Sequence, residues 1–246
     1  IIVSQLFYRT INAIQDTIDS VVEFKNNMRQ AAISFEYFLG SKEAADVFIE
    51  MMKDFAVVTP FTIEQALNMS KRLMGAGFDP RYIKDIMTTL TDAAAAVSKD
   101  ASEMDQRLDR IILALTQIKT YGFLAGQEIR QLAEANIPVY QILQEELGLS
   151  AEQMQNIGKL KIPAEVGIAA ILKGLQKYRG AAEKFANEVP GMISTIKESL
   201  LIIVGELFEG IYERYRGFIK NIRDRLNDLR QALREGGIGG FFEKLF

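Results

Sequence analysis

The stretch AGQEIRQLAEANIPVYQIL, residues 125–143, decides how the chain is read. Helix formers with apolar Ile129 and Leu132 lead into Asn136-Ile137-Pro138, and the apolar spacing then restarts at Val139, Ile142 and Leu143. Asn136 can close one helix or cap the next, because asparagine tolerates left-handed backbone and its side chain accepts from helix-terminal N–H groups. Pro138 suits the first turn of the following helix, where a missing N–H costs little. The chain reverses there and two apolar faces can pack together. The interruption makes a knot instead of a rod.

The same punctuation recurs outward from this point. The five prolines, Pro60, Pro80, Pro138, Pro163 and Pro190, each sit where a helix can begin. Further breaks fall at Gly75 to Pro80, Lys99 to Ala101, Gly122, Gly148 to Ser150 and Gly158 to Pro163. Thr62 with Gln65, and Ser150 with Gln153, have the spacing of capping boxes. No strand pattern competes, so the fold class is all-α. Short connections between short helices give antiparallel neighbours and a compact multi-helix domain.

Two long amphipathic helices with coiled-coil-like heptads flank that domain. The first carries Phe7, Ile11, Ile14, Ile18, Val21, Lys25, Met28, Ala32, Phe35 and Leu39 at alternating fours and threes, a seam with Lys25 as its flaw. The last carries Val204, Phe208, Ile211, Tyr215, Phe218, Ile222, Leu226, Leu229 and Leu233, with one extra four in the pattern. As helix it would reach roughly 65 Å at about 1.5 Å per residue. Such a stripe needs a partner helix or identical chains, and the expected state is a homo-oligomer, trimer or higher. The expected organisation is 1–40 long N-terminal helix, 41–188 compact domain, 189–235 long C-terminal helix and 236–246 glycine hinge with an apolar end.

Composition narrows the chemistry. The 246 residues are 48% hydrophobic and 25% charged, the balance of a folded chain. The absence of cysteine and histidine removes disulfides, thiolate metal sites and the commonest general base. A net charge of -3 does not point to nucleic acid. Ile1 at the start and an apolar run at the end suggest an internal piece of a longer polypeptide. Leu200 to Val204 is far shorter than the roughly 20 residues of a membrane span, and Glu198 and Glu206 bracket it. It reads as a buried helix face.

Candidate catalytic groups fail on spacing. Glu128 and Glu134 are separated by about 600° of helical rotation and cannot form a pair. Glu145-Glu146 and Asp105 with Asp109 read as solvated faces. The glycines of Leu73-Met74-Gly75-Ala76-Gly77 lack a phosphate-loop lysine in register and read as a helix stop. Catalytic, cofactor and metal sites are therefore all expected to be absent. Arg216, Lys220, Arg223, Arg230 and Arg234 form a basic stripe beside the last seam. It contacts an acidic surface or DNA, or its stems simply cover apolar surface. From Ile211 to Glu235, seven basic residues face four acidic ones.

The run from Asp109 to Leu172 resembles the tape measure domain of bacteriophage tail proteins. Gln117-Ile118 precedes Gly122. Gly126-Gln127-Glu128-Ile129-Arg130-Gln131-Leu132-Ala133-Glu134-Ala135 leads to Ile137-Pro138. The turn Leu147 to Ser150 follows, and then Lys161-Ile162-Pro163-Ala164. Upstream, FAVVTPFTIEQALNMSKRLMGAGFD and LTDAAAAVS are also similar, so the likeness covers about Phe55 to Phe185. The family often has glycine where Asn136 stands and lysine where Phe123 stands.

What the resemblance implies is a structural role without enzymatic activity. Such proteins occupy the lumen of the growing tail tube, template its assembly and length, and are expelled during DNA ejection. Implied partners are tail tube and tip or baseplate proteins, assembly chaperones, and the host membrane during ejection. The implied location is inside the tail tube, and the host cytoplasm during assembly. A chain held as helix turns residue count into distance, so the knot is expected to anchor while the flanking helices measure. The rival class is a membrane-acting, pore-forming helical protein, favoured by Leu200 to Val204 and the phenylalanine-rich end.

Overall fold

A computed structural model describes residues 2–188, 199, 202–206 and 209–245, with side chains described from residue 20 onward except at 211, 215 and 236–245. The described residues are all helix, turn and loop, with a single isolated β-bridge. They form two compact units, one of residues 27–200 and one of residues 1–26 with 201–246.

The larger unit begins with the second part of α1 (Ile2–Leu39). Gly40, at φ 79°, ends that helix, and Ser41 caps α2 (Lys42–Val57) by accepting from the Ala44 N–H. Thr62 and Gln65 form the expected capping box on α3 (Ile63–Gly75). Gly77, at φ 87°, closes α3, with the Phe78 N–H returning 3.1 Å to Leu73. A short 3-10 turn, Pro80–Tyr82, leads into α4 (Ile83–Ala96). Asp100 caps α5 (Ala101–Tyr121).

The chain then folds back repeatedly through α6 (Gly126–Glu134), α7 (Val139–Leu147), α8 (Ala151–Gln155), α9 (Ile157–Leu160), α10 (Ala164–Leu175) and α11 (Ala181–Ala186). The helix α5 is central: it packs against α3, α4, α6 and α10. Its residues Met104, Leu108, Ile111, Ile112 and Leu115 are fully enclosed. Burying each such side chain is worth about 1.5–3 kcal/mol, and this face holds the unit together.

In the smaller unit, the last described helix, α12 (Glu209–Leu245), follows a helical stretch at 202–206. The backbone stays helical across Gly236–Gly240, where the sequence predicts a hinge. Glycine costs about 1 kcal/mol per helical position but does not forbid the conformation. The first part of α1 meets this segment at Phe24 beside Gly205 and at Asn26 beside Tyr212, and Val21, Phe24, Ile202 and Tyr212 are all buried. Gly205 permits the approach: a Cβ there would stand 2.9 Å from the Phe24 ring.

The α1 seam is shifted from its expected register. Val21, Phe24, Ala31 and Phe35 are buried, with Met28 between them half-buried. Phe24 replaces Lys25, and Ala31 replaces Ala32, which removes the flaw and leaves steps of three and four. Lys25 lies beside the seam in an ion pair with Glu209. The side chains of Phe7, Ile11, Ile14 and Ile18 lie outside the described residues.

Candidate interaction surface

The family-like stretch from Asp109 to Leu172 builds a clasp. Gly122, at φ 77°, ends α5 and turns the chain so that Leu124 donates to the Ile162 carbonyl at 2.9 Å. In return the Ala164 N–H donates to the Gly122 carbonyl at 3.0 Å. This short antiparallel bridge, Phe123 opposite Pro163, joins the end of α5 to the start of α10. Phe123, where the family often has lysine, lies under the Lys161 ammonium, 3.5 Å from its ring centre. The departure thus supplies a cation–π contact.

Asn136 closes α6, and does not cap α7. Its φ is 60°, its N–H reaches Ala133 at 2.9 Å, and the Ile137 N–H reaches Leu132 at 3.1 Å. This is a Schellman ending with asparagine in the glycine position, and Ile137 and Leu132, the residues such an ending brings together, are both buried. With its amide turned so that the oxygen faces Arg107, the orientation that satisfies both groups, Asn136 accepts from both terminal nitrogens of Arg107 at 2.8 Å, a contact glycine lacks. Pro138 stands at the N-cap of α7, one position before the first turn, and its carbonyl accepts from Ile142 at 3.0 Å. Two glycines complete the clasp. A Cβ on Gly167 would meet Leu124 at 2.3 Å, and one on Gly174 would meet Ile142 at 2.3 Å.

The carboxylates are dispersed, but not all are solvated faces. Glu128 is 1% exposed, at the first turn of α6, and its Oε2 has no hydrogen-bond partner among the described residues. The α6 face that carries it also carries Ile129 and Leu132, so the burial is imposed by packing. Asp105 is part-buried, and desolvation first, then the nearby Asp109 charge, pushes its carboxyl up. Asp109 pairs with Arg72 across helices, and Glu146 pairs with Lys173 at 2.6 Å. Among the described residues, no cluster of carboxylates could hold a metal ion.

A groove of about 890 Å³ lies among α2, α4 and α11, with Phe55, Val57, Val58 and Ala182 in its wall. Its buried acid, Asp92, accepts from the Gly180 and Ala182 N–H groups at 3.1 and 2.9 Å. This carboxylate caps α11 from a distant helix and is occupied by that task. The small residues around it in LTDAAAAVS leave it unshielded, but nothing local specifies the Gly180 and Ala182 N–H groups that it caps.

The last helix presents a different surface. Tyr212 faces α1, its hydroxyl donating to Asn26 at 2.6 Å, and Val204 is half-buried. Leu200 and Leu201 lie outside the described residues, Ile202 is buried and Ile203 is exposed, so the expected buried face is narrower than the run. Phe208 lies outside the described residues, as do the side chains of Ile211 and Tyr215. Beyond them Phe218, Ile222, Leu226 and Leu233 are 42–60% exposed, and Leu229 is half-buried. Ile219, which the expected seam passes over, is also exposed. Counted through Ile219, Ile222, Leu226, Leu229 and Leu233, the steps are 3, 4, 3, 4, an unbroken heptad. Arg216 and Arg223 pair with Glu213 and Asp224 on the same helix, and Lys220, Arg230 and Arg234 are exposed beside them.

The described residues therefore define an all-helical protein whose conspicuous features are a clasped core and an uncovered apolar stripe. Its family is tape measure protein: that family's model matches residues 19–209, and the chain belongs to it, a family of phage tail components. The match extends past the stretch of resemblance, into α1 on one side and as far as Glu209, the first residue of α12, on the other. No curated protein and no solved structure matches the chain. Among the described residues, no helix is long and apolar enough to cross a membrane.

Proposed function

We propose that the unit of residues 27–200 is an anchoring and assembly domain within the tail tube, and that the long helices belong to the part that measures. The observation that carries this is the repeated chain reversal between α5 and α10. Residues 122 and 164 are hydrogen-bonded neighbours, so the intervening chain adds almost nothing to length. A helix such as α12, by contrast, adds about 1.5 Å for each residue. In this reading the chain templates tail assembly and length, contacts tube and tip or baseplate proteins, and leaves with the DNA. Copies associate through the heptad positions Phe7, Ile11, Ile14 and Ile18 of the first helix, and the role is structural, without enzymatic activity.

Two insertions in the full-length protein test it. Two heptads added within α12 should lengthen tails by roughly 20 Å. The same number of residues added at the Gly148-Leu149 turn should leave tail length unchanged in electron micrographs. Equal lengthening from both insertions would refute the division of labour.

A further inference from the structure

We infer that the exposed stripe of α12 is a docking face for a helix with acidic flanks, and not for a second copy of itself. The apolar seam is Ile219, Ile222, Leu226, Leu229 and Leu233, with Ile219, Ile222, Leu226 and Leu233 each more than two-fifths exposed. In heptad terms Ile219, Leu226 and Leu233 occupy a, and Ile222 and Leu229 occupy d. The residues beside d, at e, are then Arg216, Arg223 and Arg230, and Arg225 stands at g.

This arrangement decides the partner. In a parallel pair of identical helices, g of one faces e of the next heptad in the other. Arg225 would face Arg230. In an antiparallel pair, e faces e, and Arg223 would face Arg230. Both self-pairings place guanidinium against guanidinium along the seam. The acidic residues of the helix give partial relief only: Glu213 and Asp224, at b and f, pair with Arg216 and Arg223, whereas Arg225 and Arg230 are exposed and face each other in the parallel pair. A partner helix with leucine or isoleucine at a and d, and glutamate or aspartate at e and g, meets the apolar stripe and neutralises each arginine. Planar guanidinium groups suit that contact because they bind carboxylates through two parallel bonds.

A membrane surface is the weaker match. Interfacial helices bury a broad apolar face. Here positions a and d carry the seam, widened at g only by Phe218 and Ala232, with three arginines at e and Arg225 at g. That width fits one facing helix.

This rests on the reading of the stripe as a contact surface, and not on the ruler role of the chain. The test uses the whole 246-residue chain and labelled coiled-coil peptides that share one Leu/Ile seam. One peptide has glutamate at e and g, and the other has lysine. Fluorescence anisotropy at low salt should show the glutamate peptide binding at least about tenfold more tightly, with the difference shrinking as salt is raised. The double variant Arg223→Glu with Arg230→Glu should reverse the preference. Leu226→Ser should weaken binding while leaving the circular dichroism of the chain unchanged.

Equal binding of the two peptides would overturn the proposal. So would binding to neither peptide, or binding to phosphatidylglycerol vesicles in preference to the acidic one. Sedimentation gives the remaining arm. Self-association abolished by Leu226→Ser would show the second copy to be the occupant. Self-association that survives Leu226→Ser would belong to another surface and leave the acidic preference to decide. The tail-length insertions can fail without altering any of these results.

Discussion

Leu115 and Leu226 are both leucines in the apolar stripe of a long helix, yet one is fully enclosed and the other is 60% exposed. Each stripe recurs at threes and fours. The difference lies in what the neighbouring chain does. Around Leu115, capped and clasped short helices return to cover α5 from several sides. Around Leu226, no described element returns. The same periodicity thus builds a core in one region and leaves a contact surface in the other, and the turns decide which.

The sharpest way to break this comparison is to truncate both leucines. Leu115→Ala should lower unfolding free energy by about 2–5 kcal/mol, the cost of lost burial plus a cavity. Leu226→Ala should change it by less than about 0.5 kcal/mol, since an exposed side chain leaves no cavity. Urea denaturation of the two variants measures both. Similar losses would mean that the α12 stripe is packed within a single chain.

The clasp provides a finer test. Gly174→Ala places a methyl group within 2.3 Å of Ile142, which is 1% exposed and cannot yield without moving its neighbours. Overpacking of this kind costs about 1–3 kcal/mol. Shortening the opposing side chain by Ile142→Val should restore part of the loss. A thermal midpoint for the double variant above that of Gly174→Ala alone would confirm that close approach is what the glycine provides. Gly148→Ala, with open space around the added methyl group but φ at 65°, separates backbone strain from contact.

Asn136 distinguishes the backbone requirement from the side-chain one. Asn136→Val puts a β-branched residue at φ 60° and should cost about 1–3 kcal/mol. Asn136→Gly keeps the conformation and loses only the contact with Arg107, so its cost should be smaller. The reverse order, read from thermal denaturation, would mean that the side-chain bond and not the turn holds α6 to α7.

Much of this architecture was legible because helix ends have local chemistry. Thr62-Gln65, Ser150-Gln153, Gly122 and Asn136 specify their turns through their own side chains or backbone freedom, and the structure places a helix end at each. What failed depended on distant neighbours. Periodicity alone did not choose between Lys25 and Phe24, because both fit a heptad within one residue. The choice came from Gly205, which admits the Phe24 ring, and from Glu209, which pairs with the lysine. The capping role of Asp92 depends on α11, far away in sequence, and the burial of Glu128 on how the α6 face packs, so neither had a local signal. The register through Ile219 emerged only when exposure showed it sharing the uncovered face with Ile222 and Leu226. The charge pattern was readable throughout, but its meaning waited on that register.

The smallest effect concerns Asp79, at the entrance to α4. Its carboxylate accepts from the Arg81 N–H at 3.0 Å and from the Arg81 guanidinium, with Nη2 2.5 Å from Oδ2. The side-chain bond to Arg81, aided by the backbone bond, holds the Asp79 carboxyl down to about 2. An unfolded aspartate titrates near ~3.9. The folded state thus prefers the ionised form, and its contribution is fully present above the unfolded value. It fades as pH falls from about 4 towards 2. Asp79 is exposed and screened, so the effect on stability is small. An NMR titration of the carboxyl carbon should show a midpoint well below that of the free residue, and Arg81→Ala should raise it. An unchanged midpoint in Arg81→Ala would mean that the helix-entry backbone, and not the guanidinium, keeps this aspartate charged.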